Sequence, residues 1–396
     1  MEKNENPFEE LPEGLVLELL DNSKEVSAEL ISKFSEIVEN KERMRKQLET
    51  ESLLKNYNEL DYGRTYPTSA AIDGSYTMER MLSLDFACVA AVAVEGLTPP
   101  GPEKRNWPKP RYFSDIAVVP HNEDTPQALR GMSAALELHL AARAPHDVVF
   151  IDGSMKTPMI FLNNAAEKLD SVDPHLRETF LHGKDALNED KVRYPNFADV
   201  IDSYVEILGS GRSDKIYAAV PKYTTKNELC EKLNIPGNED RGLLNFVLKS
   251  GEYVGPLDAS SVGGLHLNLS KVAEHYEVSK ETRDKVRTIV DELFPELTVI
   301  YFRPSAFSPV FRVEVPKAVS NNRSRLKTLL EAIELQTVSL SIMEPYPLYL
   351  ADRMVKHLSY AIPAIRKAAF QEVSGSWKGD VSEVYMGMHA YRTENG

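Results

Sequence analysis

The sequence predicts an α/β protein, a mixed sheet flanked by helices and preceded by a helical arm. Two observations carry that expectation. First, the apolar runs Ala70-Ala71-Ile72 and Val148-Val149-Phe150-Ile151 read as buried strands, and both lead into the same tripeptide, at Asp73-Gly74-Ser75 and Asp152-Gly153-Ser154. Second, the chain between them holds further apolar runs and one strongly patterned helix, as expected of an antiparallel meander followed by a helix and a returning strand.

The arm comes first. From Leu15 to Tyr57, Val16, Leu19, Leu20, Leu30, Ile31, Phe34 and Ile37 recur at helical spacing among Glu and Lys, which predicts an amphipathic helix pair. Residues 1–60 are assigned to this arm, 61–372 to the sheet domain with helical insertions, and 373–396 to a peripheral Gly- and charge-rich tail. The first strand is expected to end at Asp73, with Gly74 allowing a sharp turn. Strands at Leu82–Val94 and Asp115–Val119 complete the meander, separated by an irregular loop, Thr98–Pro110, that carries five prolines.

Thr125 to Ala142 is the best-marked helix. Thr125 can cap it, Pro126 suits its first turn, and Leu129, Met132, Leu136 and Leu140 form its inward stripe. The strand ending at Asp152 follows directly. Beyond it the pattern predicts a helix over Phe197–Leu208, a strand over Lys215–Val220, and short helices at 227–233 and 243–248. A polar-faced helix over Leu265–Leu293 leads to paired strands, Leu297–Phe302 and Val310–Val315, joined through Arg303-Pro304-Ser305. Helices at Arg323–Ile333 and Leu348–Ala369 complete the domain, and no solenoid repeat is present.

Composition narrows the class. At 396 residues the chain can bury a large core. No apolar run is long enough to span a membrane, and the acidic, polar amino terminus lacks the apolar core of a secretory signal. With only Cys88 and Cys230 there is neither a disulfide framework nor a cysteine zinc pattern, so the expected location is the reducing cytoplasm. A formal net charge of −14 argues against a generic nucleic-acid coat protein. It does not exclude a nucleic-acid enzyme, whose binding depends on the local field of a groove.

The chemistry is in the acidic residues. A strand presents its last side chain rigidly at the sheet's carboxyl edge, where open α/β sheets keep their sites. Two aspartates brought together there repel unless a cation lies between them, and hard divalent ions prefer oxygen ligands. A single Asp-Gly is more often a turn cap, but two matched copies after buried strands favour a metal site. Glu137 lies on the central helix beside its apolar stripe, although most helix glutamates are merely solvated. Asp352 lies on the late helix; His357, five residues on, falls on another face and is an outside candidate. Lys222, just past a strand end, is a candidate phosphate ligand or an ordinary surface lysine. Tyr76, beside the first aspartate, is placed to stack on an unpaired base, and Arg303 to clamp a nucleic-acid backbone or cap a turn.

Strand, helix, strand, late helix is the order of the metal-binding carboxylates in the ribonuclease-H-like fold. The sequence resembles the NurA nucleases of archaea and bacteria, which work with the hexameric translocase HerA. The resemblance runs from about Thr68 to Lys367. It rests on Ile72–Ser75, on Arg130 and Glu137 of the helix, on Ile151–Ser154, and on Ala218-Ala219-Val220-Pro221-Lys222. It continues through Phe302-Arg303-Pro304 and Pro345-Tyr346-Pro347-Leu348 leading to Ala351-Asp352. Members of the family often carry Ala-His where this chain has Ala351-Asp352.

The resemblance implies a metal-dependent DNA nuclease with exonuclease and some endonuclease activity, a homodimer acting with a HerA-type ATPase in DNA end resection or anti-phage defence. It implies two Mn2+ or Mg2+ ions clamping the scissile phosphate. Asp73 would bridge them, Glu137 and Asp152 would hold one, Asp352 the other, and Lys222 would meet the developing charge. Two rival readings exist. Asp-Gly-Ser after a strand also suits the phosphate loops of actin-like ATPases and sugar kinases, but no late Gly-rich adenosine loop follows, and Glu137 and Asp352 would have little to do. A non-catalytic subunit clamping a translocase ring would have no need of all four carboxylates.

Overall fold

A computed structural model describes residues 8, 11–60, 66–97, 111–184, 194–209, 214–222, 226–233, 239–259 and 274–389. The expected loop at Thr98–Pro110 and the start of the expected helix at Leu265 lie outside these residues. The described strands are β1 (Leu54–Asn56), β2 (Ser69–Arg80), β3 (Asp85–Glu95), β4 (Tyr112–Val119), β5 (Val148–Asp152), β6 (Ile216–Val220), β7 (Glu252–Asp258), β8 (Leu297–Phe302) and β9 (Phe311–Pro316). Among the described residues they form one sheet in the order β1-β7-β8-β9-β6-β5-β2-β3-β4.

One half of this sheet is the expected ribonuclease-H-like unit. β2, β3 and β4 are an antiparallel meander, and β5 and then β6 run parallel beside β2. The other half, β9, β8, β7 and β1, continues antiparallel from β6. β1 and β7 were not expected. β1 is only three residues long, and β7 contains Gly255-Pro256, which reads as a turn; its register with β8 shifts between Val254 and Leu257 to accommodate them.

Helices cover both faces. On one, Leu129, Met132 and Leu136 of α2 (Thr125–Arg143) pack with Ala70 and Ile72 of β2. They share that core with α3 (Thr157–Ala166), α4 (Pro174–His182) and α5 (Phe197–Gly209). The short α6 (Glu228–Lys232) and α7 (Asp240–Val247) cover the β7–β8 region, and Val286 of α8 (Lys280–Thr288) joins the α2 core. On the opposite face, α9 (Lys317–Ser320), α10 (Arg323–Leu335) and α11 (Tyr346–Lys356) bring Val319, Leu329, Ile333 and Leu348 against Ala71 and Phe150. α12 (Leu358–Ser376) and α13 (Val381–Gly387) follow, and Leu82 donates its backbone N–H to the carbonyl of His389. No described helix is long and apolar enough to cross a membrane.

Four expectations are corrected. The arm is one helix, α1 (Glu13–Thr50), not a pair. The polar stretch at its middle does not break it, and the Ser23 and Ser27 hydroxyls are satisfied within the helix by donating to the carbonyls of Leu20 and Ser23. Its C-terminal half docks: Phe34 meets the ring of Phe246 at 5.6 Å, Ile37 packs on the same core, Met44 and Leu48 enter it with Leu243 and Val247, and Arg45 grips Glu252 through two 2.8 Å bonds. Asp124, not Thr125, precedes the first turn of α2. The late helix breaks at His357 into α11 and α12. Finally, β2 does not end at Asp73 but runs on through Gly74 and Ser75 to Arg80.

Candidate metal centre

β2 keeps going where its neighbour stops. It pairs with β5 only from Ser69 to Ile72, and its remaining residues pair with β3. The register sets Ile72 opposite Ile151, so Asp73 and Asp152 follow side by side on adjacent parallel strands. Alternation turns both toward the face occupied by α10 and α11, because Ala71 and Phe150 point there. α11 brings Asp352 to the same place. One carboxylate oxygen each from Asp73, Asp152 and Asp352 lies within 4.8 Å of the others.

Glu137 approaches from the opposite face, and Gly74 makes room for it. A Cβ at position 74 would lie 2.6 Å from Glu137 Oε1 and 2.5 Å from Ser133 Oγ. The glycine thus serves close approach of α2, not a turn. Ser133 donates to Glu137 Oε1 at 3.3 Å. Asp73, Glu137 and Asp152 line a groove of about 510 Å³ together with Ser154, Lys222 and Lys226.

The electrostatics are those of carboxylates crowded together and partly buried. Burial, then the neighbouring Asp152, pushes the Asp73 carboxyl up to about 7, against the opposing pull of Lys222. Burial, then Asp73 and Asp152, raises Glu137 well above the usual carboxylate range. Asp352 behaves differently: burial pushes it up, but Lys356 and Lys222 outweigh this and hold it below its ordinary value. The donors are all oxygen, anionic and on three rigid elements. That set fits a hard divalent ion such as Mn2+ or Mg2+.

Lys222 is the cation already among them. Its Nζ lies 3.1 Å from Asp152, 3.1 Å from Glu344 and 3.3 Å from Asp352. Burial opposes its charge, but these acids outweigh the burial and raise its pKa.

The model of the NurA domain matches residues 15–357. The chain belongs to the NurA family. Its fold is similar to that of the NurA nuclease from Sulfolobus solfataricus, at 14% identity and a TM-score of 0.54, over 91% of this chain and 98% of that one. Two other NurA structures are more distant in shape. One, described as NurA with manganese, covers 86% of this chain and 98% of its own at 15% identity and a TM-score of 0.47. The other covers 92% and 99% at 14% identity and a TM-score of 0.49. No curated protein matches the sequence.

Of the residues expected to serve this NurA chain, Asp73, Glu137, Asp152, Asp352 and Lys222 come together. Arg303 does not join them. Its guanidinium donates to the carbonyls of Asn245, Leu248, Ser305 and Ala306, at 2.8, 2.9, 3.4 and 3.0 Å, so it holds a loop together. His357 is exposed at the break between α11 and α12, against Tyr360, and is outside the carboxylate cluster. Tyr76 is half-buried on the α2 side, where the Arg130 guanidinium lies 5.9 Å from its ring and 5.3 Å from that of Phe161.

Two acids at the site were not expected. Glu344, buried just before α11, holds Lys222. Glu314 on β9 accepts from Ser154 Oγ at 2.6 Å and from the Met155 N–H at 2.9 Å, fixing the loop after Asp152. Glu314 pairs in turn with Arg312, which reaches Glu228 at 2.7 Å. The alternation Arg312-Val313-Glu314 reads as a solvent face, yet all of β9 is buried. The signal that would have found the pair is two opposite charges two residues apart in a strand otherwise rich in Val and Phe.

Proposed function

We propose that this NurA chain is a metal-dependent DNA nuclease that hydrolyses phosphodiester bonds at the Asp73–Asp152–Asp352 centre. The observation that carries the reading is the convergence of these three carboxylates, each from a different element, at 4.8 Å or less. A divalent ion held there, Mn2+ or Mg2+, supplies polarisation of the scissile phosphate and a water of lowered pKa. Asp73, Asp152 and Asp352 would act as its ligands, and Glu137, which reaches the same groove from the opposite face of the sheet, would hold the ion or its water. Lys222 offers a positive charge to the phosphoryl oxygens. Arg130, exposed and backed by the rings of Tyr76 and Phe161, supplies a DNA contact at the rim. Family membership supports the further reading of a homodimer that receives DNA ends from a HerA-type hexameric ATPase, in end resection or anti-phage defence. A two-ion clamp, as the resemblance implies, would draw its second ligand set from acids that hold Lys222.

The test is degradation of end-labelled single- and double-stranded DNA with Mn2+, Mg2+ or chelator, comparing the wild type with Asp73→Asn, with and without the partner ATPase. The expected result is metal-dependent loss of label that falls at least about 100-fold in Asp73→Asn, as for removal of a group essential to transition-state stabilisation. Activity that survives the substitution, or none in any combination, overturns the reading.

A further inference from the structure

We propose that the Lys222 ammonium occupies the second cation position of this centre, so that the chain binds one divalent ion and not two. The inference rests on the reading of the carboxylates as a metal site. A lysine ammonium has three N–H donors. The Nζ of Lys222 forms ion pairs with three acids from three parts of the chain: Asp152 at the end of β5, Glu344 before α11, and Asp352 on α11, at 3.1, 3.1 and 3.3 Å. Lys222 follows Pro221 directly after the fully buried β6, so its backbone is anchored, and its side chain is only 22% exposed. This is a cage of oxygens around a cation, and the cation comes from the chain.

A pair of ions about 3.5–4 Å apart needs two ligand sets that share a bridging carboxylate. One set here contains Asp73. The other, on the far side of Asp152, is the set already gathered around Lys222. Metal–oxygen bonds of about 2.0–2.2 Å would require an ion close to the position that Nζ holds, and two cations cannot share that cage. Among the described residues no lysine forms an ion pair with Asp73, whose carboxylate accepts from the Gly74 N–H at 2.8 Å. The ion therefore enters on the Asp73 side. The ammonium serves as a fixed monovalent partner to it, able to offset charge on a phosphate oxygen but unable to ionise a water as a metal does.

The experiment is Mn2+ binding to the metal-free full-length protein, counted by calorimetry and by electron paramagnetic resonance, for the wild type and for Lys222→Met. Ions that remain bound in Asp152→Asn are surface ions and are subtracted, since both ligand sets use Asp152. The expected result is one ion per chain in the wild type and two in Lys222→Met, the second spectrum showing a spin-coupled pair. Two ions in the wild type overturn the proposal, as does one ion in both proteins. No site-specific Mn2+ in either protein overturns the metal-centre reading itself, which separates the two failures. The wild-type count needs no folded variant, and Lys222→Gln, which removes the charge but keeps a polar side chain among the three acids, provides a second one: it should also bind the second ion, at higher Mn2+ concentration.

Discussion

Asp73 is buried, and its carboxyl is held at about 7 against an ordinary 3.8. Between those values the folded chain binds a proton that the unfolded chain has released, so stability falls as pH rises through this window. Above it the full cost of the buried charge is present, and a bound cation relieves it. Calorimetry of the metal-free protein should therefore find Asp73→Asn more thermostable than the wild type at pH 8, by roughly 2–6 °C, with the difference vanishing near pH 4. Added Mn2+ should raise the wild-type midpoint more at pH 8 than at pH 5.5. Equal metal-free midpoints at pH 8 would mean that Asp73 bears no such strain. This residue was legible because Asp-Gly-Ser occurs twice after apolar runs. Glu344 was not, since an isolated glutamate before Pro345 carries no pattern, and its role depends on where Lys222 ends up. Arg303 was open to two uses, a backbone clamp or a turn cap, and its bonds are of the second kind: a motif can be kept for a loop's carbonyls as readily as for a phosphate.

Among the elements, β2 and α2 set the site between them. Gly74 lets α2 come close enough for Glu137 to reach the groove from the far face of the sheet. The atoms a new methyl would meet are side-chain atoms of Ser133 and Glu137, not backbone. Gly74→Ala should thus leave the fold intact, with a midpoint within a few degrees of wild type, while Glu137 is displaced and nuclease activity falls at least about 10-fold. Full activity in a folded Gly74→Ala would remove Glu137 from the mechanism. The sequence marked α2 through its stripe and Pro126, and β3, β4, β5 and β6 through their apolar runs. It misplaced the end of β2, because Asp-Gly is a turn signal locally and only the approach of α2 gives Gly74 another use. β7 escaped for a similar reason, its Gly255-Pro256 being absorbed in a register shift against β8.

At the scale of the molecule, α1 stands apart. Its C-terminal half is fixed by Met44, Arg45 and Leu48, whereas Leu17, Leu19, Leu20, Val26, Leu30 and Ile31 are exposed along the other half. An apolar stripe of that length left in water is unfavourable unless it is covered, which supports the proposed homodimer. Deleting residues 1–36 should convert the dimer to a monomer by light scattering and leave Mn2+ binding unchanged, because the arm contributes no ligand. A truncated protein of unaltered mass would place the dimer contact elsewhere. The amphipathic spacing was visible in the sequence, but whether the stripe folds back as a second helix or extends depended on contacts the local pattern does not encode.

The short pairing of β2 with β5 also bears on how the two halves of the molecule hold together. The meander is zipped along the whole of β2, while its bond to the parallel strands lasts only from Ser69 to Ile72. Asp73 and Asp152 stand at the end of that short seam, one on each side. An ion held by these two residues would be a rivet as well as a reagent, joining the meander to the rest of the sheet where the backbone ladder gives out. Loading the centre would make the two halves of the sheet unfold as one unit.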